Sequence, residues 1–163
     1  MRVGTRTDVG RRWSPAGVRP LGRRHIGYEY VYLYVSLRPF VGKVFARFLP
    51  RLDKECFAVF ARERSLKVER KTLLILDGAG AHRLAEQNAL LELSRLPVYS
   101  PELTPVERFF QELQRKLKFR VFDTPDDAEK YVTEALLEFF DDAERVKSLT
   151  LYPYIKDVRN NLN

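Results

Sequence analysis

Residues 28–37 read Tyr28-Glu29-Tyr30-Val31-Tyr32-Leu33-Tyr34-Val35-Ser36-Leu37, and this alternation decides the fold class. In an extended chain Tyr28, Tyr30, Tyr32 and Tyr34 share one face, and Val31, Leu33 and Val35 share the other. Apolar or aromatic side chains on both faces describe a strand covered from both sides, as in a layered α/β domain. A row of tyrosines also suits a platform for stacking bases, but packed sheet is the simpler explanation. Just downstream, Pro39 and Gly42 mark a turn, and residues 43–49 set Val44, Ala46 and Phe48 against Phe45 and Arg47. An antiparallel partner strand follows.

Further along, Asp53 opens a helix to about Leu66, with Cys56, Phe57, Phe60 and Ala61 on one apolar face. Residues 72–76 form a short run of buried-strand type ended by Asp77-Gly78, residues 83–93 suit a helix, and residues 96–99 suit another strand. Thr104, Pro105 and Glu107 spell a complete capping box for a helix that buries Val106, Phe109, Phe110, Leu113 and Leu117. Thr124, Pro125 and Asp127 repeat the signal for a helix burying Ala128, Tyr131, Val132, Ala135, Leu136 and Phe139. The tail from about Ser148 carries no assignment. Upstream of residue 28, only residues 1–5 can extend a strand. Residues 6–26 place Gly10, Pro15, Gly17, Pro20 and Gly22 among arginines, which suits an irregular arm or loose hairpin. The order is three antiparallel strands followed by two added through helical crossovers, a mixed α/β sheet of ribonuclease H-like type.

A chain of 163 residues with 45% hydrophobic content suits one domain, spanning 1–163. No apolar window is long enough for a membrane span and the arginine-rich start lacks the apolar stretch of a signal peptide, so an intracellular, cytoplasmic protein is expected. Cys56 is the single cysteine, which excludes an intrachain disulfide and a cysteine-based zinc site. Residues 1–71 carry 17 Lys and Arg against 6 Asp and Glu, within an overall net charge of +7. Arg2, Arg6, Arg11, Arg12, Arg19, Arg23 and Arg24 precede residue 25 with only Asp8 opposing them, a pattern suited to a polyanion such as DNA or to a solvated arm.

Asp77 ends a buried strand, where the crevice of an open α/β sheet takes ligands, and a carboxylate there can reach a metal; an Asp before Gly also simply makes a turn. Glu107 is either a capping residue or a second carboxylate of the same site. Convergent carboxylates are what phosphodiester chemistry uses, because hard Mg²⁺ takes oxygen ligands and keeps positions open for water and phosphate. His82 falls near a helix start, where it serves as an active-site neighbour or as an ordinary surface histidine. On the helix after Thr104, Arg108, Arg115 and Lys118 give a basic face.

Leu74-Ile75-Leu76-Asp77-Gly78-Ala79-Gly80-Ala81-His82, followed by Leu96-Pro97-Val98-Tyr99-Ser100-Pro101-Glu102-Leu103-Thr104-Pro105-Val106-Glu107-Arg108-Phe109-Phe110, resembles the bacterial insertion-sequence branch of the mariner-superfamily DDE transposases. The likeness runs from Met1 to about Phe140. Thr104 stands where the family usually has Asn, a change that keeps an N-cap type. The resemblance implies a sheet of order 3-2-1-4-5, with Asp77 and Glu107 as the second and third catalytic carboxylates and metal ligands. It implies two Mg²⁺ or Mn²⁺ ions in the complete site and transposon-end and target DNA as partners. A homodimer, or pairing with a full-length transposase, is also implied. Residues 6–26 would fill the place of the loop that reaches the other protomer, making Arg6, Arg11, Arg12, Trp13, Arg19, Arg23 and Arg24 contacts for DNA or dimer. The family's Asp-Glu-x-Arg aligns x-Arg with Met1-Arg2, so the first catalytic aspartate is expected two residues ahead of Met1, and the end-recognising helix-turn-helix region ahead of that. A misassigned start, a truncated copy or the downstream frame of a split gene would each produce this. Three functions compete: a metal-dependent endonuclease and strand transferase inactive without that aspartate, a DNA- or transposase-binding fragment that inhibits transposition, and an inert remnant.

Overall fold

The computed structural model describes residues 1–77, 90–97 and 104–161. Three strands form the first sheet in the order β1 (Arg2–Gly4), β2 (Tyr30–Arg38), β3 (Lys43–Leu49), all antiparallel. Alternation along β2 does what its sequence requires. Leu33 is buried among Val3, Phe109, Leu113, Val132 and Phe139, while Tyr34 is buried on the opposite face with Cys56, Phe57 and Phe60. Tyr28 falls outside the strand and is exposed, so the tyrosine row is shorter than expected and its members from Tyr32 onward pack as sheet rather than present a stacking platform.

Helix α1 (Lys54–Ser65) starts where Asp53 accepts a hydrogen bond from the Cys56 N–H at 2.8 Å, and it covers the tyrosine face. Arg64, buried on this helix, donates to the Ser36 hydroxyl at 3.0 Å and lies over the Phe45 ring; burial, with Arg38 nearby, pulls its guanidinium below its ordinary pKa. Next comes β4 (Thr72–Leu76), paired in parallel with β5 (Leu91–Arg95) from Thr72↔Leu91 to Leu76↔Arg95. Leu76 joins the cluster under α1, with Leu74 and Leu93 packed beside it.

Two expectations are corrected here. Residues 91–93, expected to end a helix, lie in β5, and the strand expected at 96–99 ends at Arg95, so that Leu96 and Pro97 lie beyond it. Leu91 and Leu93 alternate with Glu92 and Ser94, and the ladder to β4 turns that alternation into a strand. The remainder of both expected elements, 83–89 and 98–99, lies outside the described residues. Among the described residues the two sheets stay separate: the orders 1-2-3 and 4-5 are present, without the β1–β4 pairing that one sheet of order 3-2-1-4-5 needs.

Helices α2 (Pro105–Leu117) and α3 (Pro125–Phe140) cover the other face of the first sheet. Phe109 of α2 and Phe139 of α3 are both fully buried and meet edge to face, with ring centroids 4.8 Å apart. Thr124 caps α3 in a complete capping box with Asp127. The tail that the sequence left unassigned forms α4 (Ala143–Thr150) and α5 (Pro153–Asn161). Gly42, at the β2–β3 turn with φ +69°, lies so close to the Ala143 carbonyl at the start of α4 that a side chain would collide with it. Among the described residues no helix is long and apolar enough to cross a membrane.

Candidate catalytic and nucleic-acid site

Asp77 follows directly on Leu76, so it stands at the carboxyl end of the parallel β4–β5 pair and is exposed. Leu96 donates its N–H to the Leu76 carbonyl at 2.8 Å, which carries the pairing of the two strands one step past β5, up to the residue before Asp77. The carboxyl end of parallel strands is where an α/β sheet opens to ligands.

Glu107 lies in the first turn of α2 and is exposed. The capping box read from Thr104 and Glu107 is not formed. Thr104 holds the N-cap position at φ −101°, ψ 103°, its hydroxyl makes no capping bond, and its Oγ1 is buried without a partner among the described residues. The equivalent Thr124 of α3 adopts φ −128°, ψ 158°, and its hydroxyl does accept from Asp127. A different entry angle into α2 therefore turns the hydroxyl away from the helix N–H groups, and the Glu107 carboxylate is not spent on capping.

The Glu107 carboxylate also acts electrostatically on the chain's first residue. The Met1 amine donates to the Leu33 carbonyl at 2.9 Å, extending the β1–β2 ladder by one residue. Burial pushes that amine down to about 6, against the opposing pull of the Glu107 carboxylate. Among the described residues no three His, Cys, Asp or Glu side chains gather into a metal-sized cluster. His82 lies outside the described residues.

The arm is a loose hairpin, as its glycines and prolines foretold. Its base is closed by Thr5 N–H to Glu29 carbonyl and Thr7 N–H to His25 carbonyl, both 3.1 Å. Its side is fastened to the α2–α3 connection, where Phe119 donates its N–H to the Asp8 carbonyl at 2.8 Å and the Arg12 guanidinium lies 3.8 Å above the Phe119 ring. Phe119 holds a left-handed φ of 64°, a costly conformation for a bulky residue that these contacts must offset. Arg12 also donates to the Leu21 carbonyl, so it serves the arm's own geometry. Arg6, Arg11, Arg19, Arg23 and Arg24 are exposed. Trp13 is fully exposed and Leu21 nearly so, which means that neither anchors the arm to its own domain.

On α2, Arg108, Arg115 and Lys118 are all exposed, but not equally available: Arg115 pairs with Glu112 at 2.9 Å and Arg108 lies over the Tyr152 ring. The role in docking the arm of Phe119, and of Phe122, whose carbonyl lies 3.2 Å from the His25 ring nitrogen Nδ1, was missed by sequence reasoning. Its one signal is the aromatic and basic run Lys118-Phe119-Arg120-Val121-Phe122 between two capped helices.

The model of the DDE superfamily endonuclease family matches residues 1–128 of this chain. The chain's fold is similar to that of the Mos1 strand transfer complex, at TM-score 0.62 and 18% identity, covering 92% of this chain and 48% of that one. It is also similar to Mos1 transposase in a paired-end complex with the left transposon end, at TM-score 0.62 and 16% identity, covering 92% and 49%. The chain therefore spans about half the length of the Mos1 chains that it matches. No curated protein matches it.

Proposed function

Since this chain belongs to the DDE superfamily endonuclease family, we propose that it is the catalytic core of a mariner-superfamily insertion-sequence transposase, cutting and joining DNA with divalent metal. The observation that carries the reading is that the family match spans both Asp77 and Glu107, and that both carboxylates stand exposed at the ends of their elements. Asp77 and Glu107 would hold Mg²⁺ or Mn²⁺: hard ions of this kind take oxygen donors and bind through one or two carboxylates together with substrate phosphate. A bound pair of such ions activates the attacking oxygen and offsets charge on the leaving oxygen. By the resemblance to the family's Asp-Glu-x-Arg, the further carboxylate is assigned to the strand that carries Arg2, just upstream of it.

The chain's own residues supply the rest. Exposed arginines of the arm neutralise backbone phosphates and hold the duplex in register, an interaction that weakens steeply with salt. Trp13 and Leu21, unburied in their own domain, suit contact with a second protomer. His82 takes its place as an active-site neighbour. DNA as substrate sets the protein's place in the cytoplasm, at the nucleoid.

The test is cleavage of supercoiled plasmid by this chain and by the same chain extended upstream through the aspartate. The extended form should nick DNA with Mg²⁺ or Mn²⁺ and lose this on Asp77→Ala or Glu107→Gln, while the short form should not cut. Cleavage by the short form that Asp77→Ala abolishes would remove the need for a carboxylate ahead of Met1. An extended form that binds DNA without cutting it would overturn the catalytic reading in favour of a binding fragment.

A further inference from the structure

A cavity of about 350 Å³ opens between the base of the arm, β1 and the α2–α3 connection, and four arginines are among the residues that line it: Arg2, Arg6, Arg24 and Arg120. Asp8 is the one acidic residue in its wall. Like charges gathered around a cleft repel one another unless an anion sits among them. Among the described residues none of the four makes an ion pair. Two are held in place by rings instead, Arg2 over Tyr30 at 5.1 Å and Arg120 over Tyr131 at 5.0 Å. Leu117 in the cavity wall stands ten residues beyond Glu107 on α2, roughly 15 Å along the helix at a rise of 1.5 Å per residue.

We propose that this cavity is a second anion site, taking a nucleotide by its phosphate monoester, most naturally the phosphorylated end of a nucleic-acid strand. The chemistry selects the ligand. Arginine forks match the oxygens of a phosphate group two at a time, and a monoester carries about −1.5 to −2 charges, more than a diester within the strand. A volume of 350 Å³ lies at the lower end of small-ligand pockets and admits one nucleotide unit, not a duplex. Tyr30 and Phe122 in the wall offer apolar surface to sugar or base. The source of Arg6 and Arg24 is the arm and that of Arg120 the α2–α3 connection, so a bound phosphate would tie the two together.

The site is tested apart from catalysis, by fluorescence anisotropy without metal. The probes are a short single-stranded oligonucleotide with and without a terminal phosphate, with inorganic phosphate and a deoxynucleoside monophosphate as competitors. The phosphorylated strand should bind about tenfold more tightly, as one to two charge-assisted hydrogen bonds require, and inorganic phosphate should erode that preference. Arg24→Gln and Arg120→Gln should each abolish the preference, whereas Arg11→Gln, in the arm but outside the cavity, should weaken both strands alike. Competition by the free monophosphate as strong as that by the strand would keep the site and identify its ligand as a free nucleotide. Equal affinity for the two strands would overturn the proposal. So would a preference that survives both cavity substitutions in protein with unchanged circular dichroism.

Discussion

Truncating Phe109 should show how firmly the helix carrying Glu107 is held. Phe109 is fully buried two residues beyond Glu107, and its ring meets that of the fully buried Phe139 at 4.8 Å and 61°. Phe109→Ala removes the transfer free energy of the ring and leaves a cavity, together costing about 3–5 kcal/mol. Out of a total of about 5–15 kcal/mol for a domain, that is a fifth or more of its stability. For a chain of this length the melting temperature should fall by roughly 10 °C. The edge-to-face contact adds a separable part of about 0.5–1.5 kcal/mol, which a double-mutant cycle with Phe139 would isolate as non-additivity. Urea unfolding by circular dichroism measures each variant, with Leu replacing Ala if the doubly truncated chain does not fold, and with exposed Leu137→Ala as a control expected to cost little. A cost for Phe109→Ala below about 1.5 kcal/mol would refute this account of the core. Strict additivity of the pair would refute the ring-to-ring contact alone.

Three further outcomes follow from local geometry. Gly42→Ala should destabilise by more than the 1–2 kcal/mol or so of left-handed strain, because the methyl also strikes the Ala143 carbonyl; Gly17→Ala, at φ +82° in open space, should cost only the strain, as paired urea melts would show. Thr124→Ala should cost about 1 kcal/mol through its lost capping box, whereas Thr104→Ala should be near neutral, since its hydroxyl makes no cap; equal costs would contradict the difference between the two helix starts. Burial pushes the Tyr34 phenol, which donates to the Arg51 carbonyl at 2.8 Å, up to about 12. A pKa raised above its unfolded value of 10.0 gives stability fully present below pH 10 and lost as pH rises toward 12, so alkaline unfolding should ease in Tyr34→Phe; an ultraviolet titration that finds every tyrosine ionising near pH 10 would count against it.

What the sequence revealed, and what it hid, divides along local and non-local lines. The alternation of residues 30–38 and the helical stripes ending in Leu117 and Phe139 are period effects, readable from neighbours alone. Leu90-Leu91-Glu92-Leu93 satisfies a helical stripe and a strand alternation equally, and only the ladder to β4, some twenty residues earlier, decides between them. Thr104-Pro105-Val106-Glu107 and Thr124-Pro125-Asp126-Asp127 look alike as text, but they enter their helices at ψ 103° and 158°, a difference that the four residues do not spell. Asp77 and Glu107 were singled out on a local motif, and their joint role as a site is the proposal that plasmid cleavage tests. The grouping of the cavity arginines was not legible, for Arg2, Arg24 and Arg120 meet only when the arm folds back onto the α2–α3 connection.

The arm's closure at Thr7 and His25 leaves residues 8–24 as a loop whose two ends are already fixed by the sheet. Closing such a loop costs free energy that grows only with the logarithm of its length, about 0.6 kcal/mol for each doubling. The fold is therefore nearly indifferent to how long the arm is, provided that Asp8 and Arg12 still reach Phe119 at its side. Reach is a property that such a design leaves free to vary: an insertion near the Gly17 turn would carry Trp13 or Leu21 farther from the domain without disturbing a single core contact. Among relatives, divergence should concentrate in the length and tip of this segment, and constancy in the few residues that fasten its root.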